Sequence, residues 1–266
     1  MSNLQQRIIS GICMAAVFLV AAYFGGWVFT ALMAFVSLVV WAEWSDIAIS
    51  DGDDRSILVG YIAICALLAC LLLLTGTQQI VGLLVVLAVA IGTMLSWPGG
   101  PPSVTGLLYA GGFLVAMSQL RNGGSDHNGI FALLFLCAAV WSTDIGAYFA
   151  GRAIGGPKLA PKISPNKTIS GALGGVLAAM IISGLIVGVL GDGNLTIYLI
   201  LAAFLSVISQ IGDLYESWMK RQAGVKDSGA IIPGHGGAMD RVDGLVFAAI
   251  SLWVVSGLYD TLFAHS

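Results

Sequence analysis

Residues 57–75 read ILVGYIAICALLACLLLLT, and runs of this kind decide the fold class. A helix of these nineteen uncharged residues would rise about 29 Å, close to the roughly 30 Å thickness of a bilayer core. Similar runs recur along the chain, which is 58% hydrophobic and only 9% charged. Soluble domains carry roughly 25% charged residues. We therefore predict an all-α polytopic membrane protein.

Nine apolar runs are candidate membrane spans. The breaks between them carry glycine, proline, asparagine and aspartate, as in WPGGPP at 97–102 and LGDGN at 190–194, and these residues favour turns. The predicted spans are 8–24, 26–43, 57–75, 78–96, 103–120, 130–150, 171–190, 195–212 and 244–263. The first run follows Arg7 as in a signal peptide, but it lacks a convincing small-residue cleavage site, so we expect a retained span.

Basic residues indicate the orientation of the chain. If the N-terminus is cytoplasmic, only Arg121 falls outside. The basic residues that fall inside are Arg7, Arg55, Arg152, Lys158, Lys162, Lys167, Lys220, Arg221, Lys226 and Arg241. This asymmetry follows the positive-inside rule. We predict a cytoplasmic N-terminus and a single membrane domain, 1–266, in which 1–129 is a lipid-facing scaffold and 130–266 carries the functional helices and cytoplasmic loops.

Composition also excludes some classes of function. The chain has neither a basic stripe nor a charged tail, so we expect no nucleic-acid partner. Its four cysteines lie inside apolar runs without a CxxC pair. That placement is typical of thiols packed as small hydrophobic groups rather than of redox or metal sites.

Acidic side chains occur at the predicted cytoplasmic ends of three spans. Asp144 lies within 130–150, where an unpaired carboxylate would cost several kcal/mol. Asp213 follows 195–212 and shares a face with Lys220 if the helix continues. A structural ion pair or a solvated helix face would also explain each of these residues.

Asp240 and Asp243 precede the last predicted span. A helix that begins near Met239 would place both on one face of its first turn, where aspartate is favoured by the helix dipole. Two carboxylates at this spacing can share one hard cation.

Two connections carry groups suited to phosphate. Basic residues without any acid occupy 151–170, and they could set topology, contact anionic lipid or cradle a polyphosphate. In PGHGG, residues 233–237, backbone N–H groups at a helix start could approach a phosphate, and His235 could donate to it or shape the loop. Acids and bases together at a membrane surface indicate a metal-bound phosphate substrate.

The stretch SWMKRQAGVKDSGAIIPGHGGAMDRVDG, residues 217–244, resembles the signature of phosphatidate cytidylyltransferases, also called CDP-diacylglycerol synthases. GDLYES at 212–217, WSTDIGAYFAGRAIG at 141–155 and ISPNKT at 163–168 are also similar to that family. Two positions depart from it. Ser170 stands where the family usually has Glu, and Gly244 where many members have Ser. We expect Ser170 to cap the following helix instead.

The resemblance implies a nucleotidyltransferase of phospholipid biosynthesis that converts CTP and phosphatidate into CDP-diacylglycerol and pyrophosphate with Mg²⁺, and it allows a second cation such as K⁺. The implied metal ligands are Asp144, Asp213, Asp240 and Asp243. Catalytic roles extend to Lys220, Arg221, Lys226, His235 and Arg241. The implied substrate-binding residues are Lys158, Lys162, Ser164, Lys167, Thr168, Gly234, Gly236 and Gly237. The active site would face the cytoplasm from the inner membrane, and a homodimer is compatible with the family.

Other functions stay open at this point. A cation-coupled transporter would explain Asp144 within a span, although the acids gather at one face of the membrane rather than at its midplane. A CDP-alcohol phosphotransferase would need a motif that begins Asp-Gly and ends in paired aspartates, and SDGDDR at 50–55 has no such continuation. A lipid-binding scaffold would leave the acidic groups unexplained.

Overall fold

The structure is a computed structural model that describes residues 3–49, 53–96, 100–124, 126–190, 194–231 and 236–263. These ranges contain nine α-helices and one two-stranded antiparallel sheet. The elements are α1 (Asn3–Phe24), α2 (Gly26–Ala48), α3 (Asp54–Leu73), α4 (Gly76–Leu95), α5 (Gly100–Asn122), α6 (Asp126–Ile154), β1 (Lys158–Ala160), β2 (Ser164–Thr168), α7 (Ile169–Leu190), α8 (Leu195–Gln222) and α9 (Met239–Phe263).

The helices are those of a multi-pass membrane protein. Among the described residues, seven helices, α2 to α8, are long and apolar enough to cross a membrane. Helix α1 contributes a shorter apolar stretch, Ile9–Phe24. The predicted all-α polytopic class is therefore confirmed, apart from the small sheet at 158–168. The count of nine spans stays a prediction for α1 and α9.

Two helices extend beyond their predicted spans. Helix α6 has 29 residues and α8 has 28, so each rises more than 40 Å, well beyond a bilayer core of roughly 30 Å. The continuation of α8 to Gln222 and the start of α9 at Met239 agree with the sequence-based expectation. Both extensions carry polar residues to a helix end.

The chain divides into two compact units. Unit 1 comprises Met1–Gly123 and Gln222–Val242, and unit 2 comprises Gly124–Arg221 and Asp243–Ser266. Residues 222–242 group with the N-terminal helices, and the functional division at 129/130 stays a prediction. Hydrogen bonds that this segment donates to Glu43 of α2 explain the grouping.

Two tryptophans of α2 connect the helices of unit 1. The Trp41 indole N–H donates to the Ile57 carbonyl at 3.1 Å, and the Trp44 indole N–H donates to the Pro102 carbonyl at 3.0 Å. Both rings are buried. Glycine is required beneath them, since a Cβ on Gly60 would lie 2.0 Å from Trp41 and one on Gly106 would lie 2.4 Å from Trp44.

Arg121 caps a helix at the other end of unit 1. Its Nε donates to the Ala22 carbonyl at 2.6 Å and its Nη2 donates to the Tyr23 carbonyl at 3.2 Å. These are last-turn carbonyls of α1, which have no partner within their own helix. Gly25 has a φ of 60°, and a Cβ there would lie 2.5 Å from the guanidinium. The single basic residue predicted to lie outside is thus buried for a structural reason.

In unit 2, α6 and α7 pack through small residues. A Cβ on Gly174 would lie 2.2 Å from the Ala150 Cβ, and one on Gly146 would lie 2.4 Å from the Ala178 Cβ. Such residues let helix backbones approach closely in lipid. The close pairing brings the C-terminal end of α6 beside the start of α7.

A short hairpin connects α6 to α7. Strand β1 pairs with β2, with Lys158 opposite Thr168 and Ala160 opposite Ser164. Thr168 also caps α7, since its Oγ1 accepts the Gly171 N–H at 3.1 Å. The predicted cap at Ser170 is wrong, because α7 begins at Ile169 and Ser170 lies inside its first turn, where its hydroxyl donates to the Gly155 carbonyl.

Candidate active site

Unit 2 contains an open cavity of about 700 Å³, a size typical of small-molecule sites. Its lining comes from the C-terminal half of α6, the hairpin, the start of α7 and the middle of α8. The lining residues are Thr143, Asp144, Ala147, Tyr148, Gly151, Arg152, Gly155, Gly156, Lys158, Leu159, Asn166, Lys167, Thr168, Gly171, Ala172, Gln210 and Asp213. Five predicted site residues, Asp144, Lys158, Lys167, Thr168 and Asp213, are therefore brought to one cavity.

Helix α6 presents three polar residues to this cavity. Asp144, Tyr148 and Arg152 follow one another at intervals of four residues and so share a helix face. The Arg152 Nη1 donates to the Tyr148 hydroxyl at 2.9 Å. Arg152 was singled out only as part of the basic loop 151–170, and its place in the cavity is a finding of the structure.

Strand β2 and helix α8 form an ion pair in the cavity wall. The Lys167 Nζ donates to Asp213 Oδ2, and the two side chains are 26% and 29% exposed. The other oxygen, Asp213 Oδ1, accepts the Ser217 hydroxyl at 3.4 Å. Because both members stay partly exposed, a phosphate or a cation in the cavity could compete for either of them.

Asp243, in the first turn of α9 and just before the predicted span, belongs to the same electrostatic environment. Burial and the nearby carboxylate of Asp213 raise its pKa to about 7. Asp144 contributes less to this rise in pKa, and the Gly244 N–H, which donates at 2.7 Å, and Lys167 oppose it. Carboxylates from α6, α8 and α9 thus repel one another in unit 2, and a bound cation would relieve that repulsion.

The carboxylates of the cavity can be compared with the ligands that protein Mg²⁺ sites use. No group of three or more Asp, Glu, His or Cys side chains among the described residues could hold a metal ion by itself. Protein Mg²⁺ sites, however, commonly use one or two carboxylates and complete the shell with water and substrate phosphates. Asp144 and Asp213, which line one cavity beside three basic side chains, fit this second pattern.

Asp240 lies in unit 1 and is held by backbone N–H groups. Its Oδ2 accepts the Ser228 N–H at 3.0 Å and the Gly237 N–H at 2.9 Å. Gly237 lies two residues before the start of α9, so Asp240 in the first turn bonds back to the backbone that leads into its own helix.

Glu43, in unit 1, contacts the segment that carries the family signature, and the sequence analysis missed it. It is buried near the end of α2 and accepts from the Ala238 and Met239 N–H groups, both at 2.8 Å, and from the Ser228 hydroxyl at 2.9 Å. A lone carboxylate at the end of an apolar run was a usable signal, since such a group is costly unless it is partnered.

Three N–H groups at the start of α9 are engaged within the chain. The phosphate-binding role expected of the 233–237 backbone stays a prediction, because 233–235 lie outside the described residues. The consecutive N–H groups of Gly237, Ala238 and Met239 donate to Asp240 and Glu43. Carboxylates of the chain itself therefore satisfy the positive end of this helix.

The other predicted residues have different surroundings. Lys220 is paired with Glu216 one turn earlier at 2.7 Å, and Arg221 Nε donates to the Ile163 carbonyl at 3.4 Å. Lys162 and Ser164 belong to the hairpin but do not line the cavity. Lys226 and Arg241 are exposed in unit 1, where Gly236 adopts a φ of 83°. Gly234 and His235 lie outside the described residues.

Comparison with known proteins gives a consistent result. The sequence model of the cytidylyltransferase family matches residues 5–259. A phosphatidate cytidylyltransferase of Brucella suis biovar 1 is 44% identical over 262 residues, covering 97% of this chain and 95% of the relative. One from Rickettsia bellii is 31% identical over 278 residues, covering 97% and 93%. One from Bacillus subtilis is 35% identical over 153 residues, covering 57% and 56%. With most of its length matched, the chain belongs to the cytidylyltransferase family.

Proposed function

We propose that this membrane protein is a phosphatidate cytidylyltransferase, which transfers the cytidylyl group of CTP to phosphatidate and releases pyrophosphate. Family membership over nearly the whole chain supports the reaction. The structural observation that carries the proposal is the cavity of unit 2, where Arg152, Lys158 and Lys167 lie with Asp144 and Asp213. A site with both signs of charge suits a polyphosphate that arrives with a cation.

The reaction requires little proton transfer. A phosphate oxygen of phosphatidate attacks the α-phosphorus of CTP, a new P–O bond forms, and the bond from the α-phosphorus to the bridging oxygen of the β-phosphate breaks. The nucleophile is already anionic, so the main barrier is repulsion between two phosphate groups. The chain must therefore supply positive charge and alignment rather than a strong general base.

Within unit 2, we assign charge compensation to Arg152, Lys158 and Lys167. Arginine can engage phosphate oxygens in a bidentate manner, whereas lysine acts as a compact point charge. Tyr148 orients the Arg152 guanidinium through its hydroxyl. Phosphate binding would release Lys167 from Asp213, and the carboxylate would then be available to a cation.

The implied Mg²⁺ fits Asp144 and Asp213, with Asp243 close enough to contribute negative charge. When bound, it would neutralise the phosphates of both substrates and stabilise the departing pyrophosphate. We keep K⁺ as a proposed second cation, on the resemblance alone.

In unit 1, the family signature assigns Lys226, His235, Asp240 and Arg241 to the reaction, and we retain these roles as proposals. Lys220, Arg221 and Asp243 in unit 2 are assigned on the same ground. We further propose that the apolar helices lie in the inner membrane with the N-terminus and the site toward the cytoplasm, and that the enzyme forms a homodimer.

The direct test is a position-labelled assay with purified protein in lipid. CTP labelled at the α-phosphorus, phosphatidate and Mg²⁺ should transfer the label into the organic-soluble lipid, whereas CTP labelled at the γ-phosphorus should leave its label in pyrophosphate. Chelation of the divalent ion should stop both changes. Absence of labelled lipid with the α-labelled nucleotide, or transfer of the γ-label to lipid, would contradict the proposal.

A further inference from the structure

The carboxylate of Glu43 is enclosed by the segment that carries the family signature in unit 1. Glu43 is 2% exposed. Its two oxygens accept three hydrogen bonds from Ser228, Ala238 and Met239, all within 2.9 Å. These partners lie about 190 residues away along the chain, so the contact is tertiary rather than local.

Two glycines make the enclosure possible. A Cβ on Gly229 would lie 2.9 Å from Glu43 Oε1, and one on Gly237 would lie 2.5 Å from Glu43 Oε2. Real Cβ atoms are not found this close to other heavy atoms. The backbone at Gly229 and Gly237 therefore approaches the carboxylate closely, and a larger residue at either position would require Glu43 to move.

Glu43 and Asp240 accept hydrogen bonds from the same short stretches of backbone, although each has its own donor atoms. Ser228 gives its hydroxyl to Glu43 and its N–H to Asp240. Gly237 donates to Asp240, while the next two N–H groups donate to Glu43. The position of Asp240 is thus linked to Glu43 through the shared loop, although the two carboxylates have different partners.

We propose that Glu43 is a positioning residue for the transfer reaction: it fixes the backbone at 228–229 and at 237–239, where α9 starts, and so holds Asp240 and Arg241 in their working positions. This role rests on the proposed function. We assign Glu43 no contact with substrate. A carboxylate suits the first turn of a helix, where negative charge is favoured.

The test compares Glu43→Gln with Ser45→Ala. Glutamine has nearly the same shape but turns one acceptor into a donor, so one of the two helix N–H groups loses its partner. Ser45 is a matched control, because it is also buried in α2 but its hydroxyl bonds only to its own helix, at the Trp41 carbonyl. Each variant is assayed well below its melting temperature.

We expect Glu43→Gln to lower kcat by roughly ten- to a hundredfold, the range expected for a lost hydrogen bond to a charged group. The KM for CTP should change much less, since the cavity of unit 2 does not include Glu43. Ser228→Ala removes only one of the three bonds and should lower kcat a few-fold, which keeps the test usable if the glutamine variant does not fold.

Amide hydrogen exchange supplies a readout that does not depend on turnover. In Glu43→Gln, exchange should accelerate at Gly237, Ala238 and Met239 while the amides of α5 keep the wild-type rate. Acceleration throughout unit 1, or a local change with wild-type kcat, would overturn the positioning role. So would a Glu43→Gln variant that matches Ser45→Ala in both measurements. If the wild type itself made no labelled lipid, the proposed function would fail instead, and the exchange result would still report on the loop.

Discussion

At the scale of single residues, the predicted carboxylates of the two units have distinct surroundings. Asp213 is paired with Lys167 in a cavity, whereas Asp240 accepts two backbone N–H groups. Both occur in stretches that the sequence identified through the family resemblance. Their partners could not be predicted, because they depend on contacts between residues far apart in the chain.

Asp240 should be essential for turnover but not for folding. An asparagine can still direct its carbonyl oxygen to the Ser228 and Gly237 N–H groups, so Asp240→Asn should keep a melting temperature close to that of the wild type. The loss of negative charge should lower kcat/KM at least about a hundredfold if Asp240 serves a metal or a catalytic cation. The measurement is CTP-dependent lipid labelling at saturating Mg²⁺.

Asp46→Asn provides the matched control, because it makes the same chemical change at an exposed position of α2. It should keep wild-type activity. His235→Ala should lose less activity than Asp240→Asn. The reverse order would assign the chemistry to His235, and wild-type turnover by Asp240→Asn would remove Asp240 from the proposed ligands.

At the scale of secondary-structure elements, hydropathy predicted the positions of the helices well. The charged and glycine-rich connections were harder to predict. The hairpin at 158–168 and the Thr168 cap arise in a stretch rich in proline and basic residues, where neither helical nor strand periodicity is visible. Glu43 was overlooked although its place at the end of an apolar run was a signal, because its partners come from the other end of the sequence.

The packing of α6 against α7 should depend on Gly174. Alanine there would place a Cβ 2.2 Å from that of Ala150, and the helices would have to separate. We expect a loss of about 1–3 kcal/mol in the free energy of unfolding, as for other overpacked interiors. Thermal melting in detergent should show this loss, together with reduced activity, since both helices line the cavity.

Gly188→Ala is the control for this prediction. It lies on the same helix, but a Cβ there meets no atom within 4 Å, so its melting temperature should equal or slightly exceed that of the wild type. If Gly174→Ala were as stable as Gly188→Ala, close helix packing would not explain the glycines of α7.

At the scale of the whole chain, contacts inside each unit agree with helices that alternate in direction. In unit 1, the end of α5 caps the end of α1 through Arg121, and Trp44 near the end of α2 bonds to the start of α5. In unit 2, Tyr198 near the start of α8 packs on Phe131 near the start of α6. These pairings are those expected if successive spans cross in opposite directions, but they do not say which end is cytoplasmic.

The absolute orientation comes only from the distribution of basic residues and can be tested by cysteine labelling. In a chain whose four native cysteines are replaced, Ala223→Cys should lie inside and Gly124→Cys outside, and both positions are exposed. A membrane-impermeant maleimide should label Gly124→Cys in intact cells, and Ala223→Cys only in inverted vesicles or after lysis. The reverse pattern would place the basic loops outside, away from cytoplasmic CTP. That outcome would contradict the orientation and, with it, the proposed access of the nucleotide to the cavity of unit 2.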